Sequence, residues 1–201
     1  PINITKLKIM KFFSILAVTM LLVFIVVQLF ALKSQYGIET HSYQIQKQFQ
    51  NFEIRRYDKA LFSSVKLSTN NFKDASSEGF SVLAGYIFGN NNRSEKIAMT
   101  SPVVMSLEDS MSMFFLVPKK IKIDKLPLPY NETIEFQEQS VKTVAAISFG
   151  GWANAKKIEK YKTKLMAVLD KKELSHNNQF FFLDTMHPMK CSIAKMKLSS
   201  S

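Results

Sequence analysis

The sequence predicts an α+β fold: a strand-strand-helix-strand-strand unit that occurs twice and closes as a barrel or saddle with two outer helices, preceded by one transmembrane helix. Two observations carry this expectation. Phe12 to Leu32 is an uncharged apolar run of 21 residues broken only by Ser14, Thr19 and Gln28. Beyond residue 50, matching strand and helix patterns recur about 80 residues apart. The rest of the 201-residue chain holds 27 Lys+Arg against 16 Asp+Glu, a net charge of +11, with 46% hydrophobic residues overall and one Cys. That composition fits one globular domain beside the apolar run and excludes a disordered, collagen-like or disulfide-stapled protein.

Residues 1–11 form a basic N-terminus with Lys6, Lys8 and Lys11. Residues 12–32, as a helix, span about 30 Å, the thickness of a bilayer's hydrocarbon core. The lysines before it keep the N-terminus cytoplasmic by the positive-inside rule, which predicts a single-pass protein of the cell membrane with its folded domain on the extracytoplasmic side. The exit, Gln28-Leu29-Phe30-Ala31-Leu32-Lys33-Ser34, offers no good small-residue pair for cleavage. An uncleaved signal-anchor is therefore the expected form, ahead of a cleaved signal or a buried soluble helix.

Residues 33–50 are polar and aperiodic and read as a linker. Phe52 to Tyr57 and Ala60 to Ser68 then read as a strand pair; in the second, Leu61, Val65 and Leu67 alternate with Ser64, Lys66 and Ser68. A helix opens at Asn70-Asn71 and closes at Gly89-Asn90-Asn91-Asn92, with Phe72, Ala75, Gly79, Val82 and Tyr86 along one face. Strands at Pro102 to Leu107 and Met111 to Val117 complete the first unit. After a proline-bearing loop, Thr133 to Glu138, Val141 to Phe149, a helix from Asn154 to Lys172, Gln179 to Leu183 and a last segment repeat the order.

The two helices differ. The second has one apolar stripe, Ile158, Tyr161, Leu165, Val168 and Leu169, and a lysine-rich remainder. The first carries no charge from Gly79 to Gly89, and Phe80, Leu83, Ala84 and Ile87 form a second apolar strip beside the core-facing one. Such a strip is covered either by a neighbouring loop or by a ligand. Met99 stands with Met105, Met111 and Met113 around the strands that follow, suited to core filling or to a forgiving apolar ligand surface.

No catalytic or metal constellation is legible. His41, His176 and His187 lack partners at ligand spacing, and no P-loop, nucleotide fingerprint, serine elbow or Cys-His pair occurs. The reading is a binding protein, not an enzyme. The basic charge does not read as nucleic-acid binding, because the lysines are scattered and no helix-turn-helix, RRM, KH or zinc-finger pattern is present.

Glu78-Gly79-Phe80, Gly85-Tyr86-Ile87-Phe88-Gly89-Asn90-Asn91 and Lys96-Ile97-Ala98-Met99-Thr100-Ser101-Pro102-Val103 resemble the signature of the SOUL haem-binding family. Phe52 to Tyr57 resembles its opening strand and Lys142 to Gly151 its later strand into the second helix. The resemblance covers residues 51–183. It implies a twisted β-barrel flanked by two helices, and non-covalent binding of haem or another tetrapyrrole in an apolar groove beside the first helix. On that reading Phe80, Leu83, Ala84, Ile87 and Met99 lie under the plate, Arg55, Arg56 or Lys96 meet the propionates, and no residue is assigned as iron ligand. The alternative is an interaction module, or a site for another small molecule, on the same scaffold.

Residues 184–201 depart from the family ending. With permitted codons, a two-base shift of frame turns this stretch into YNAPYEVFNRKNEIIVE, which resembles that ending. The expectation is a frame change that leaves Cys191 and His187 without redox or metal roles. If the tail as written pairs as a strand, Ala194, Met196 and Leu198 are expected to face inward.

Overall fold

The apolar run forms one helix, α1 (Ile4–Gln35). In this computed structural model, which describes residues 4–35, 38–108, 110–185 and 191–197, α1 belongs to a compact unit, Pro1–Ile38, separate from a second unit, Glu39–Ser201. Within α1, Lys11–Gln28 has a mean hydropathy of 2.2 and none of it is buried by protein. Apolar residues surround the whole helix rather than one face, the pattern of a segment whose solvent is lipid or a protein interior. By length and composition it can cross a membrane.

The second unit runs β1 (Glu39–Thr40), β2 (Tyr43–Gln48), β3 (Glu53–Tyr57), β4 (Ala60–Lys66), α2 (Phe72–Ile87), β5 (Thr100–Ser101), β6 (Val103–Ser106), β7 (Ser112–Leu116), a 3-10 turn (Ile123–Lys125), β8 (Ile134–Gln139), β9 (Lys142–Phe149), α3 (Ala155–Lys171), β10 (His176–Asp184) and β11 (Cys191–Lys197). Both long helices start where the sequence signals them. Asn71 caps α2 by accepting from the amides of Lys73 and Asp74, and Asn154 caps α3 by accepting from Lys157.

Nine strands form one sheet in the order β2-β3-β9-β11-β10-β6-β7-β4-β8. The duplication is visible in the pairing. Exchanging the units maps β3, β4, β6 and β7 onto β8, β9, β10 and β11, and the pairs β4-β7, β6-β7 and β4-β8 then become β9-β11, β10-β11 and β3-β9. The pseudo-twofold lies between β6 and β10, which pair with each other.

Three expectations are corrected. First, β3 and β4 are not partners: β3 pairs with β2 and β9, and β4 with β7 and β8. They stand six strands apart in the sheet, about 29 Å if it were flat. Only Asp58 and Lys59 join Tyr57 to Ala60, a reach of no more than about 11 Å. The sheet must therefore curl into a half-barrel. Ser140 and Val141, between β8 and β9, impose the same closure on the other half.

Second, residues 38–50 are not linker. β1 pairs with β5 and β2 with β3, the His41 amide donates to the Ser101 carbonyl (2.9 Å), and the His41 ring packs on Tyr57 and Phe62 with centroids 4.8 and 5.5 Å away. Short polar strands of this kind lack the alternation that marks a half-buried strand. Burial, the largest influence, lowers the His41 pKa against the opposing pull of the Asp58 carbonyl. The folded state then holds fewer protons than the unfolded chain, so His41's contribution is complete above the unfolded value of about 6.5 and is lost as pH falls toward the lower folded value. Urea midpoints are expected to fall between pH 7.5 and 5.5 by more in the wild type than in His41→Gln.

Third, β11 turns the other face inward. Cys191 and Ile193, the set expected to face outward, enter the main core, Ile193 being 0% exposed. Met196 and Ala194 lie on the strand, whereas Leu198 and His187 fall outside the described residues. Burial raises the Cys191 pKa, consistent with a core thiol rather than a reactive one.

The main core lies between one face of the sheet and the helices; α2 covers β4 and β7, and α3 covers β9 and β11. Gly79 is needed for that contact: a Cβ there would stand 2.9 Å from Met113 Cβ and 3.2 Å from Leu67 Cδ2. Gly85, two turns on, has nothing within 4 Å of a built Cβ. Gly79→Ala is expected to destabilise by about 1–3 kcal/mol through overpacking. Gly85→Ala is expected to stabilise by about 0.5–1 kcal/mol, because the helix gains propensity at no steric cost. Urea unfolding of the two variants checks the pair.

Candidate functional site on the outer face of α2

The outer face of α2 is set by what its C-terminal turn is tied to. Asn91 is fully buried, and its side chain donates to the carbonyls of Tyr86 (3.1 Å) and Glu95 (2.8 Å) while accepting from the amides of Arg93 and Glu95. Gly89, at φ +114°, lets the chain reverse at this point. The returning segment is fixed by the Ile97 amide, which donates to the Ile87 carbonyl at 2.8 Å. Lys96 is thereby brought beside the end of α2, and Met99 follows, half-buried against the core.

The loop before β8 is fastened to the same end. The Tyr86 hydroxyl donates to the Pro127 carbonyl (2.9 Å), and burial pushes that phenol's pKa up to about 12, so it keeps its proton across the physiological range. Asn92 and Leu128 exchange two bonds, one from each amide, at 2.9 and 2.8 Å. These ties leave Leu128 and Tyr130 exposed at 66% and 63%, and Phe88, at the end of α2, is 60% exposed. Phe80, 38% exposed, stands two turns earlier on α2 with its edge on Phe115 (5.5 Å between centroids).

The expected strip is thus divided. Leu83, Ala84 and Ile87 are core residues, 0%, 7% and 4% exposed, and this corrects their assignment to a ligand surface. The cause is the rotation of α2 on β4 and β7, which sends Ala75, Gly79, Leu83 and Tyr86 inward and carries Ala84 and Ile87 with them. Phe80 remains outside and Met99 is half-buried. Lys96 is exposed at the same end of the helix.

Arg55 and Arg56 are elsewhere. They lie on β3, separated from α2's strands in the sheet order, and alternation turns Arg55 to the face opposite Phe52 and Ile54. Arg55 is buried in a set of its own: Nε pairs with Glu53, Nη1 donates to Tyr57 (3.3 Å) and Ser192 (3.4 Å), and Nη2 donates to Ser148 (3.0 Å). It is not placed to meet a ligand on α2. The open backbone at Gly85 and the exposed Phe88, Leu128 and Tyr130 were not among the expected site residues; Gly85 and Phe88 already stood in the motif, whereas the loop residues had no signal of their own. Among the described residues, no three His, Cys, Asp or Glu side chains are grouped to hold a metal ion.

Fold and site together define a duplicated α+β half-barrel domain whose first helix offers an uncharged, partly aromatic outer face. The chain belongs to the SOUL heme-binding protein family, whose profile matches residues 38–190. It is 29% identical to heme-binding protein 1 of Xenopus laevis over 147 residues, 69% of this chain and 77% of that protein. It is 28% identical to human heme-binding protein 2 over 127 residues, 59% of this chain and 62% of that protein. Among solved structures it resembles the C-terminal domain of EcmrR, with a TM-score of 0.56 at 9% identity over 79% of this chain and 99% of that one. That last likeness is one of fold. The family relation supports haem or a related tetrapyrrole as the ligand class.

Proposed function

We propose that the domain binds haem non-covalently on the outer face of α2, held at the membrane by α1 on the extracytoplasmic side, and that it stores, transfers or senses haem without catalysing a reaction. The observation that carries this is the absence of charge from Gly79 to Gly89: Phe88 is exposed beside Gly85, where the backbone is open to a flat ligand, and Phe80 is exposed further round the helix. A tetrapyrrole needs apolar side chains against its plate and cations at its rim. Phe80, Phe88 and Met99 supply the first, and Lys96 is suited to the second. Membrane attachment rests on the length and hydropathy of Lys11–Gln28 and on the three lysines at its start.

Haemin titrated into the full chain in detergent is expected to give a saturable Soret shift at one equivalent. Gly85→Glu places a carboxylate on the open face without entering the core. It is expected to weaken haemin binding at least about tenfold, since a buried charge without a partner costs more than 1.4 kcal/mol, and to leave the thermal midpoint near that of the wild type. Leu83 and Ile87 are unsuitable for this test, because charging either one disrupts the core.

A further inference from the structure

The half-barrel has a second apolar surface, on the face of the sheet turned away from α2 and α3. Where the two short connections draw the sheet closed, a small cleft of about 60 Å³ opens, floored by Tyr57, Phe62, Val144 and Leu183 and walled by Phe181. None of these residues belongs to the core beneath the helices; they form two separate clusters. At its rim Lys142 is half-buried, with its Nζ 2.9 Å from Gln139 Oε1 and 5.8 Å from the Phe181 ring centroid. Among the described residues no carboxylate is within ion-pairing distance of Lys142, and none lines the cleft.

A half-buried ammonium without a counter-ion, next to an apolar floor, is an arrangement that a small amphipathic anion completes. We propose that this cleft is a second ligand site, taking an aromatic or short acyl carboxylate with its apolar body on Phe62, Val144 and Leu183 and its carboxylate on Lys142. The neutral amide of Gln139 satisfies one donor of Lys142 and leaves its charge uncompensated. Burial lowers the Lys142 pKa, as expected for a cation that pays desolvation and has no anion beside it. The rings of Tyr57 and His41, packed on each other with centroids 4.8 Å apart, close one side with aromatic surface.

The site differs from the α2 face in position and in charge, so the two are separable by experiment. The probe is 2-naphthoate, titrated calorimetrically into the full chain in nanodiscs of zwitterionic lipid, with empty nanodiscs as the blank. Saturable binding at one equivalent is expected, weakened about tenfold or more both by Lys142→Met and by replacing the probe with 2-naphthamide, because a charge-assisted contact is lost each time. Lys142→Gln serves as the second variant, and unchanged haemin binding by either shows that the domain is folded. Gly85→Glu is expected to bind 2-naphthoate as the wild type does. Absence of saturable binding, wild-type affinity in both Lys142 variants, or loss of naphthoate binding in Gly85→Glu would each overturn the proposal.

Discussion

Truncation after Asp184 is expected to abolish cooperative folding of the Glu39–Ser201 unit. β11 is the last strand among the described residues and an interior one in the sheet, in register with β9 over Cys191–Phe149 to Met196–Val144 and with β10 from Asp184–Cys191 to His176–Lys197. Its removal leaves the facing edges of β9 and β10 unpaired inside the domain, each with a row of backbone donors and acceptors in search of partners. It also removes Ile193, which is fully buried beneath α3 with Leu165 and Leu169 in the same core. Ile193→Ala alone should cost about 2–4 kcal/mol, a large share of the roughly 5–15 kcal/mol that keeps a domain folded. Circular dichroism melts check both variants: a truncated chain that melts like the full one would mean that β11 is an accessory.

Arg55→Met is the second large effect. Arg55 ties four strands together: its guanidinium pairs with Glu53 on β3, donates to Ser148 on β9 (3.0 Å) and Ser192 on β11 (3.4 Å), and lies 4.7 Å from the ring centroid of Tyr43 on β2. The Arg55 and Glu53 side chains are only 7% and 15% exposed. Methionine preserves much of the volume but leaves the Glu53 carboxylate in a poorly solvated place without its cation, and breaking such a pair costs about 3–5 kcal/mol. Arg55→Met is expected to lose about that much in urea unfolding. Arg55→Met with Glu53→Gln is expected to recover part of it, because the stranded charge has been removed as well. Equal stability of the single and double variants would show that the serine and tyrosine contacts, not the ion pair, carry the effect.

The elements themselves were legible because local chemistry marks them. Asn71 and Asn154 stop the preceding chain and cap a helix, and the alternation along β4 is plain in Leu61, Val65 and, just past its end, Leu67. The duplication was legible too, since an internal repeat needs only comparison of the chain with itself. Strand partners were not: β3 and β4 are adjacent in sequence and far apart in the sheet, and only closure of the half-barrel reconciles the two. β2 escaped notice because Tyr43–Gln48 is exposed throughout and so carries no inward period.

The absence of charge from Gly79 to Gly89 marks α2 as unusual, but it does not tell which of its apolar residues stay exposed. A helix apolar around most of its circumference gives two strips of similar strength, and only the contact with Leu67 and Met113 at Gly79 decides which is core. Arg55 illustrates a related difficulty. An arginine in a strand reads as a surface cation, and the serines and the glutamate that bury it come from positions 53, 148 and 192, of which two are remote in sequence.

The central claim is that haem sits on the outer face of α2, and its most direct test is haemin titration of the wild-type chain and Gly85→Glu side by side, with the Soret band as readout and a thermal melt of each as control. Saturable binding by the wild type is expected, with at least about a tenfold loss in Gly85→Glu at equal thermal stability. Equal haemin affinity in the two proteins, both folded, would contradict it.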